Sequence, residues 1–424
     1  MVFDISKIKI TSLIILIFTS AYRVDAVKAQ DQTWERYAID STFSGADGVR
    51  IADVNGDRIP DVTTGWEEEG ITKVYLHPGY ELVKEIWPSV IVGNTPSVED
   101  ALFADINNDG AVDIVTSTEG DHKKIYINWA PTESDHYLDA SKWKTEVLSI
   151  SDGRMQWMFA TTAQIDGGNG INLVAGAKNK GAEIGWFQSS ENPNDLSRWS
   201  WHPISSAQWV MSLIAEDMDQ DGDVDILTSD RKTGETNGIR WLENPGECVN
   251  QNHQWKNHFI GARGLEVMFM DFADLDGDGL KDVIVTERST QKIFFFRKLD
   301  QSGLKWKSYC IDIPQETGKA KAVKVGDING DGKLDLVHTT NTYEEENKAG
   351  IYWLSYLNKP TDSQWIWHEL SGLEGYKFDR IELLDIDGDG DLDVLTTEEN
   401  YGTNSKGLGV IWYENPINKN SIGK

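Results

Sequence analysis

Cysteine is nearly missing from this 424-residue chain: Cys248 and Cys310 are its only two. A disulfide framework is thereby excluded, and a single bridge between them is all that stays open. Proline is also sparse, at 11 residues against 38 glycines, and with 39% hydrophobic residues the composition is that of a packed globular protein rather than a disordered one. Basic residues are outnumbered, 40 Lys and Arg against 69 Asp and Glu, which gives a formal charge of -29. A reader of phosphate backbones works through a basic stripe and counterion release, so nucleic acid is excluded as a partner. Long hydrophobic runs are lacking too. The one apolar stretch near the start, Ile10 to Ala21, is too short to span a bilayer, and no later stretch reaches the required length, so no membrane anchor is expected.

That stretch has the layout of a secretory leader. Lys7 and Lys9 precede it, and Val27-Lys28-Ala29 offers the small-residue pattern of a cleavage site. Residues 1–29 are therefore read as a signal peptide cut after Ala29. Residues 30–416 form the folded body and 417–424 a short tail, in an exported, soluble and monomeric protein.

What the chain has in abundance is one acidic loop, whose first residue falls at positions 53, 105, 164, 217, 274, 327 and 385. Six copies are full. They are Asp53, Asn55, Asp57 and Asp61; Asp105, Asn107, Asp109 and Asp113; Asp217, Asp219, Asp221 and Asp225; Asp274, Asp276, Asp278 and Asp282; Asp327, Asn329, Asp331 and Asp335; and Asp385, Asp387, Asp389 and Asp393. The third copy, Gln164 to Asn172, keeps only Asp166 as a carboxylate. Oxygen side chains at positions 1, 3, 5 and 9 suit a hard cation, calcium above all. An EF-hand would need a Glu at position 12 and flanking helices, whereas strands flank these loops. The six loops hold 21 carboxylates, which would repel one another strongly without cations. Up to six structural calcium ions are expected, with the third loop in doubt.

Two further markers keep the same period. Trp34, Trp87, Trp143, Trp201, Trp255, Trp306 and Trp367 each open a strand-like run, and aromatic strands end in proline, as in Trp241-Leu-Glu-Asn-Pro245 and Trp412-Tyr-Glu-Asn-Pro416. Each repeat thus reads as four antiparallel strands, and seven such repeats predict an all-β, seven-bladed β-propeller. The last repeat stops after its third strand. Residues 34–39 are expected to supply its missing fourth strand and close the ring. The loops resemble the FG-GAP or VCBS repeats of integrin-type propellers, a resemblance that covers nearly the whole body and departs at Gln164 to Asn172. It implies that the metals are structural.

Strand order puts the acidic loops on one face and the connections from second to third strands on the other, here called the upper face. The upper loops are rich in Lys and Arg, which fits an anionic ligand held by Arg forks. Six residues before each loop stand Asp47, Glu99, Met158, Met211, Met268, Lys321 and Asp379, the side chains expected to line the channel mouth. Trp157, Trp209 and Glu266 lie just before them, the tryptophans as candidate sugar-stacking surfaces. His122 and His338 are the two histidines in upper-face positions, where most repeats carry a small residue in place of His338.

Export, calcium, Trp and a basic upper face converge on acidic oligosaccharide or polysaccharide as partner. The pattern of a lone seven-bladed calcium propeller with Trp-x-Glu-Asn-Pro strands also resembles carbohydrate dehydratases, namely ulvan oligosaccharide dehydratases and the propeller domain of aldos-2-ulose dehydratase. The resemblance implies a carbon–oxygen lyase that removes water from a terminal uronic acid. A chain-cleaving polysaccharide lyase and a calcium-dependent lectin are the alternatives. On the lyase reading His338 or His122 is the expected base, and Tyr343 or Tyr376 the proton donor. Arg231, Arg288, Arg380 and Lys321, with Glu266, Trp157 and Trp209, bind the substrate.

Overall fold

The computed structural model describes residues 27–28, 33–168, 170–246, 255–342, 348–399 and 407–418. The chain is all-β and propeller-like, as the repeat predicts. Five four-stranded antiparallel sheets follow one another, the first built from Ala46–Ala52, Asp61–Trp66, Ile71–Tyr75 and Ser89–Asn94. A nine-stranded sheet holds the rest. It contains the meander Lys319–Gly326, Asp335–Asn341, Ile351–Tyr356 and Trp365–Glu369, and a second meander beginning at Lys377–Leu384, joined by the single pair Asn341 and Lys377. First strands pack against one another in sequence, and Lys377–Leu384 packs back against Ala46–Ala52.

Burial explains which segments take which place. The second strands, such as Asp225–Asp230 and Asp282–Glu287, are buried at every residue, as expected of strands covered on both faces. Fourth strands such as Lys256–Gly261 are exposed or half-buried throughout. The third-strand aromatics Trp186, Trp241 and Trp412 are buried in the core. In the Trp-x-Glu-Asn-Pro segments the asparagine explains the motif. Asn244 Nδ2 reaches the carbonyl of Ile165 at 3.3 Å and Asn415 Nδ2 that of Ile328 at 2.8 Å, so each ties its repeat to the preceding one.

Every first strand bulges at the same place, between Asp47 and Arg50 in the first repeat and between Phe378 and Ile381 in the last. A bulge re-aims the side chains beside it. Here it turns residues at the upper end of the first strand toward the mouth.

Closure follows the sequence reading. Glu35–Asp40 pairs antiparallel with Gly409–Glu414, Glu35 opposite Glu414 and Tyr37 opposite Trp412. The Tyr37 ring lies 4.9 Å from that of Trp412, and its hydroxyl donates to Glu414 at 3.0 Å. Deleting residues 30–40 strips this strand and leaves Gly409–Glu414 as an uncovered edge. The expected outcome is aggregation or loss of cooperative unfolding in a calorimetric scan; a deletion variant that melts like the full chain would place the closure elsewhere.

Candidate functional site

The acidic loops come first because they are the most regular feature. The aspartate at position 1 accepts backbone amides from across its own turn; Asp274, for example, takes those of Asp278 at 3.0 Å and Gly279 at 2.8 Å. Gly279 sits at φ 90°, a conformation that favours glycine and explains its place at position 6. Position 9 proves to be a clip as well as a candidate ligand. Asp61, Asp113, Asp225, Asp282 and Asp393 each accept one amide from their own loop and one from the end of the third strand, at 2.8 to 3.2 Å.

Three loops bring carboxylate oxygens from positions 1, 3 and 9 within 4.8 Å of one another: Asp217, Asp219 and Asp225; Asp274, Asp276 and Asp282; and Asp385, Asp387 and Asp393. Asp219 Oδ1, Asp276 Oδ1 and Asp389 Oδ2 are buried without a hydrogen-bond partner. Burial, together with the neighbouring loop carboxylates, pushes Asp225 and Asp282 up to about 7 and Asp393 to about 8. Unpartnered oxygens and crowded negative charge are what a hard divalent cation satisfies, so the donor set fits calcium. The third copy closes on itself instead. Gln164 Nε2 donates to the carbonyls of Gly168 and Gly170, and Gln188 Nε2 donates to Asp166 at 2.6 Å, so amides do there what a metal would do elsewhere.

The second candidate site is the upper mouth. The sixth residue after loop position 9 is Glu67, Glu119, Lys178, Arg231, Arg288, Asn341 and Glu399 in successive repeats. Together with the lining residues Asp47, Glu99, Lys321 and Asp379 this divides the mouth. Repeats seven, one and two supply its carboxyls, and repeats three to six most of its cations, with Lys377 of repeat seven set among the carboxyls. Two groups of three carboxylates converge, Asp47 with Asp379 and Glu399, and Glu67 with Glu99 and Glu119. Lys178 pairs with Glu99 at 3.0 Å and also with Glu119, while Lys321 reaches Asp379 at 2.6 Å and Lys377 pairs with Glu399.

In the second group three carboxyls face one ammonium, so they cannot all ionise cheaply. Burial, reinforced by Glu119 and Glu67 and opposed by Lys178, pushes Glu99 up to about 8. Burial and Asp379 outweigh Lys321 and Lys377 and put Glu399 at about 7. Burial works against ionisation of Asp379 too, but Lys321 and hydrogen bonds from Glu399 and Asp47 hold it well below the usual range. At neutral pH an ionised Asp379 thus sits beside a partly protonated Glu399.

The residues expected from sequence divide accordingly. Arg231 and Glu266 meet, at 2.6 to 2.9 Å, so this arginine is answered by a carboxylate of its own face. Arg288 stands close enough to Arg231 and Glu266 to feel both charges. Trp209 lies at the mouth under three cations, with Lys178, Arg231 and Lys232 at 4.7, 4.6 and 4.3 Å from its ring centre. Lys321 lines the mouth as expected. His122 is exposed in the loop after Glu119, and Tyr376 is at the exposed rim. Tyr343 lies outside the described residues, as does Cys248; Cys310 is exposed.

Three expectations need correction. His338 is fully buried, and Burial lowers its pKa to about 4. Its Nδ1 lies 3.0 Å from the carbonyl of Ala322, the contact that the hydroxyls of Thr64 and Thr396 make to Gly48 and Arg380 in their own repeats. It is a stand-in for that threonine, bracing the bulge, and no substrate reaches it. Trp157 is also fully buried, edge-on to Trp201 at 5.3 Å with its indole N–H on Ser151, so it cannot stack on a sugar. Arg380 belongs to the channel rather than the upper loops. It shares Asp100 with Arg50 and lies over Phe159 and Phe269, in a cavity of about 290 Å³.

Glu119 and Glu399 were not singled out from sequence, although the register offered a signal. Counting six residues past each loop, as above, would have found both.

An FG-GAP-like repeat model matches residues 274–338, which contain the fifth loop and the start of the sixth repeat. No curated protein matches the chain. Among solved structures, BBS1N in complex with ARL6DN, soaked with mercury, aligns at TM-score 0.51 and 10% identity over 91% of this chain and 98% of that one. The luciferin-regenerating enzyme aligns at TM-score 0.41 and 10% identity, over 80% of this chain and 99% of that one. The first likeness bears on the fold alone. With the four-stranded sheets it supports a β-propeller type fold, in which residues 274–338 match an FG-GAP-like repeat.

Proposed function

We propose that this chain is an exported, calcium-loaded propeller of seven blades over residues 30–416 that eliminates water from a terminal uronic acid of acidic oligosaccharides. The observation that carries the reading is the divided mouth. Arg231 and Arg288 on its basic side suit the uronate carboxylate, and holding that carboxylate acidifies the adjacent C5 proton. An ionised carboxyl on the acidic side takes this proton. A carboxyl held protonated, Glu99, gives its own to the C4 oxygen as the C4–O bond breaks, while the buried Glu399 sets the charge of the carboxyls beside it. A C4–C5 double bond forms and one water leaves, so atoms and charge balance. These carboxyls replace the histidines as the proton-transfer groups.

The metals in this reading stay in the loops, where Asp217, Asp274, Asp385 and their partners would hold them, and their contribution is to tie first strands to second strands. Incubation with uronic-acid oligosaccharides should produce ultraviolet absorbance from the new double bond. Steady binding without that absorbance would favour the lectin reading, which has Trp209 and its three cations in its support.

A further inference from the structure

The residue opposite loop position 9 on the third strand differs from repeat to repeat. Strand register places Leu76, Trp129, Gln188, Glu243, Arg297, Ser355 and Glu414 there, each one step past a paired residue such as Phe296 opposite Val283 or Tyr413 opposite Val394. This position looks into the acidic loop. Gln188 uses it to close the third loop on Asp166. Arg297 uses it to place a guanidinium on Asp276 and, at 2.7 Å, on Asp278. Among the described residues no other acidic loop has a cation at this position.

The fifth loop is therefore the one whose position 3 and position 5 carboxylates both already have a positive partner; in the sixth loop only Asp331 has one, Lys333 at 3.7 Å. Its donor set is otherwise complete, with Asp274, Asp276 and Asp282 converging and Asp276 Oδ1 buried without a partner. The loop also opens on a cleft of about 510 Å³ lined by Asp274, Asp276, Arg297, Tyr309, Lys333 and Tyr356. A cation can enter there, and the guanidinium has room to swing away. Opposite the fourth and seventh loops stand Glu243 and Glu414, which add negative charge instead. Ligand charge count is what tunes calcium affinity in oxygen cages.

We propose that Arg297 makes the fifth loop a weaker calcium site than the fourth and seventh, the loops that also carry four carboxylates, because the metal must displace a built-in guanidinium from Asp276 and Asp278. This rests on the calcium reading above. Isothermal titration of the full chain, freed of metal, with calcium should show a tight class of two sites, those of the fourth and seventh loops, and a weaker class that includes the fifth. Arg297→Gln should tighten the fifth site by roughly 10-fold or more and move it into the tight class. Ser355→Arg, which puts a guanidinium opposite the sixth loop, should weaken that site by a similar factor. An Arg297→Gln isotherm that superimposes on the wild type would overturn the inference, and so would an Ser355→Arg isotherm that does so if the first variant does not fold. Wild-type protein that takes up no calcium at all would sink the calcium reading itself.

Discussion

Removing calcium should lower the melting temperature by more than 10 °C, since each ion bound only by the folded state contributes a linkage term that grows with its concentration over Kd, on the order of 3 kcal/mol at a hundredfold excess. Six loops contribute in parallel, and each joins a first strand to a second, so the effect is spread around the ring. Differential scanning calorimetry with and without excess chelator, alongside metal analysis, checks it. Melting curves that coincide on protein shown to be metal-free would mean that the clips of Asp61, Asp113 and their counterparts hold the loops unaided. Asp276→Ala should act in the same direction but weakly, because it removes one site of six.

The second large effect concerns turnover. Glu99→Gln removes the proton-transfer carboxyl while keeping its size and hydrogen-bonding reach, and Glu399→Gln removes the charge of its buried neighbour. At least one of them should lower turnover by roughly 100-fold or more with ground-state binding largely intact. Arg231→Ala should instead weaken binding along with rate, because a carboxylate clamp acts in both states. The wild-type rate should fall as pH rises past the range in which Glu399 and Glu99, held up at about 7 and about 8, keep their protons. His338→Thr is the contrasting control. It restores the hydroxyl that other repeats use at this site, so it should fold and turn over like the wild type. Loss of turnover in His338→Thr, with Glu399→Gln and Glu99→Gln unimpaired, would return the base to the histidine.

The propeller was legible in the sequence because its determinants are local and repeated. An acidic turn, an apolar run and an aromatic strand recur at a fixed interval, and the surplus strand at Trp34 fits the deficit after Trp412. The acidic loops were legible for the same reason, and so was the departure of the third one. The mouth was not, because its chemistry depends on which side chains from different repeats face one another. Lys178 and Arg231 looked like free cations awaiting an anion, yet each is already paired, with Glu99 and Glu119 in one case and Glu266 in the other. His338 looked like a base because it broke a pattern of small residues. The pattern was one of hydroxyls donating to a bulge carbonyl, which an imidazole also satisfies. Trp157 and Trp209 were indistinguishable in the sequence, one residue type at a similar place in two repeats. Packing against Trp201 buries the first and leaves the second at the mouth.

The central claim, that the divided mouth performs elimination rather than binding alone, is tested most directly by weighing the product. Calcium-loaded protein incubated with a defined uronate-terminated oligosaccharide should give a single species lighter by one water. Two fragments whose masses sum to that of the substrate would make it a chain-cleaving lyase. A bound substrate recovered unchanged after prolonged incubation would contradict the account and leave a lectin.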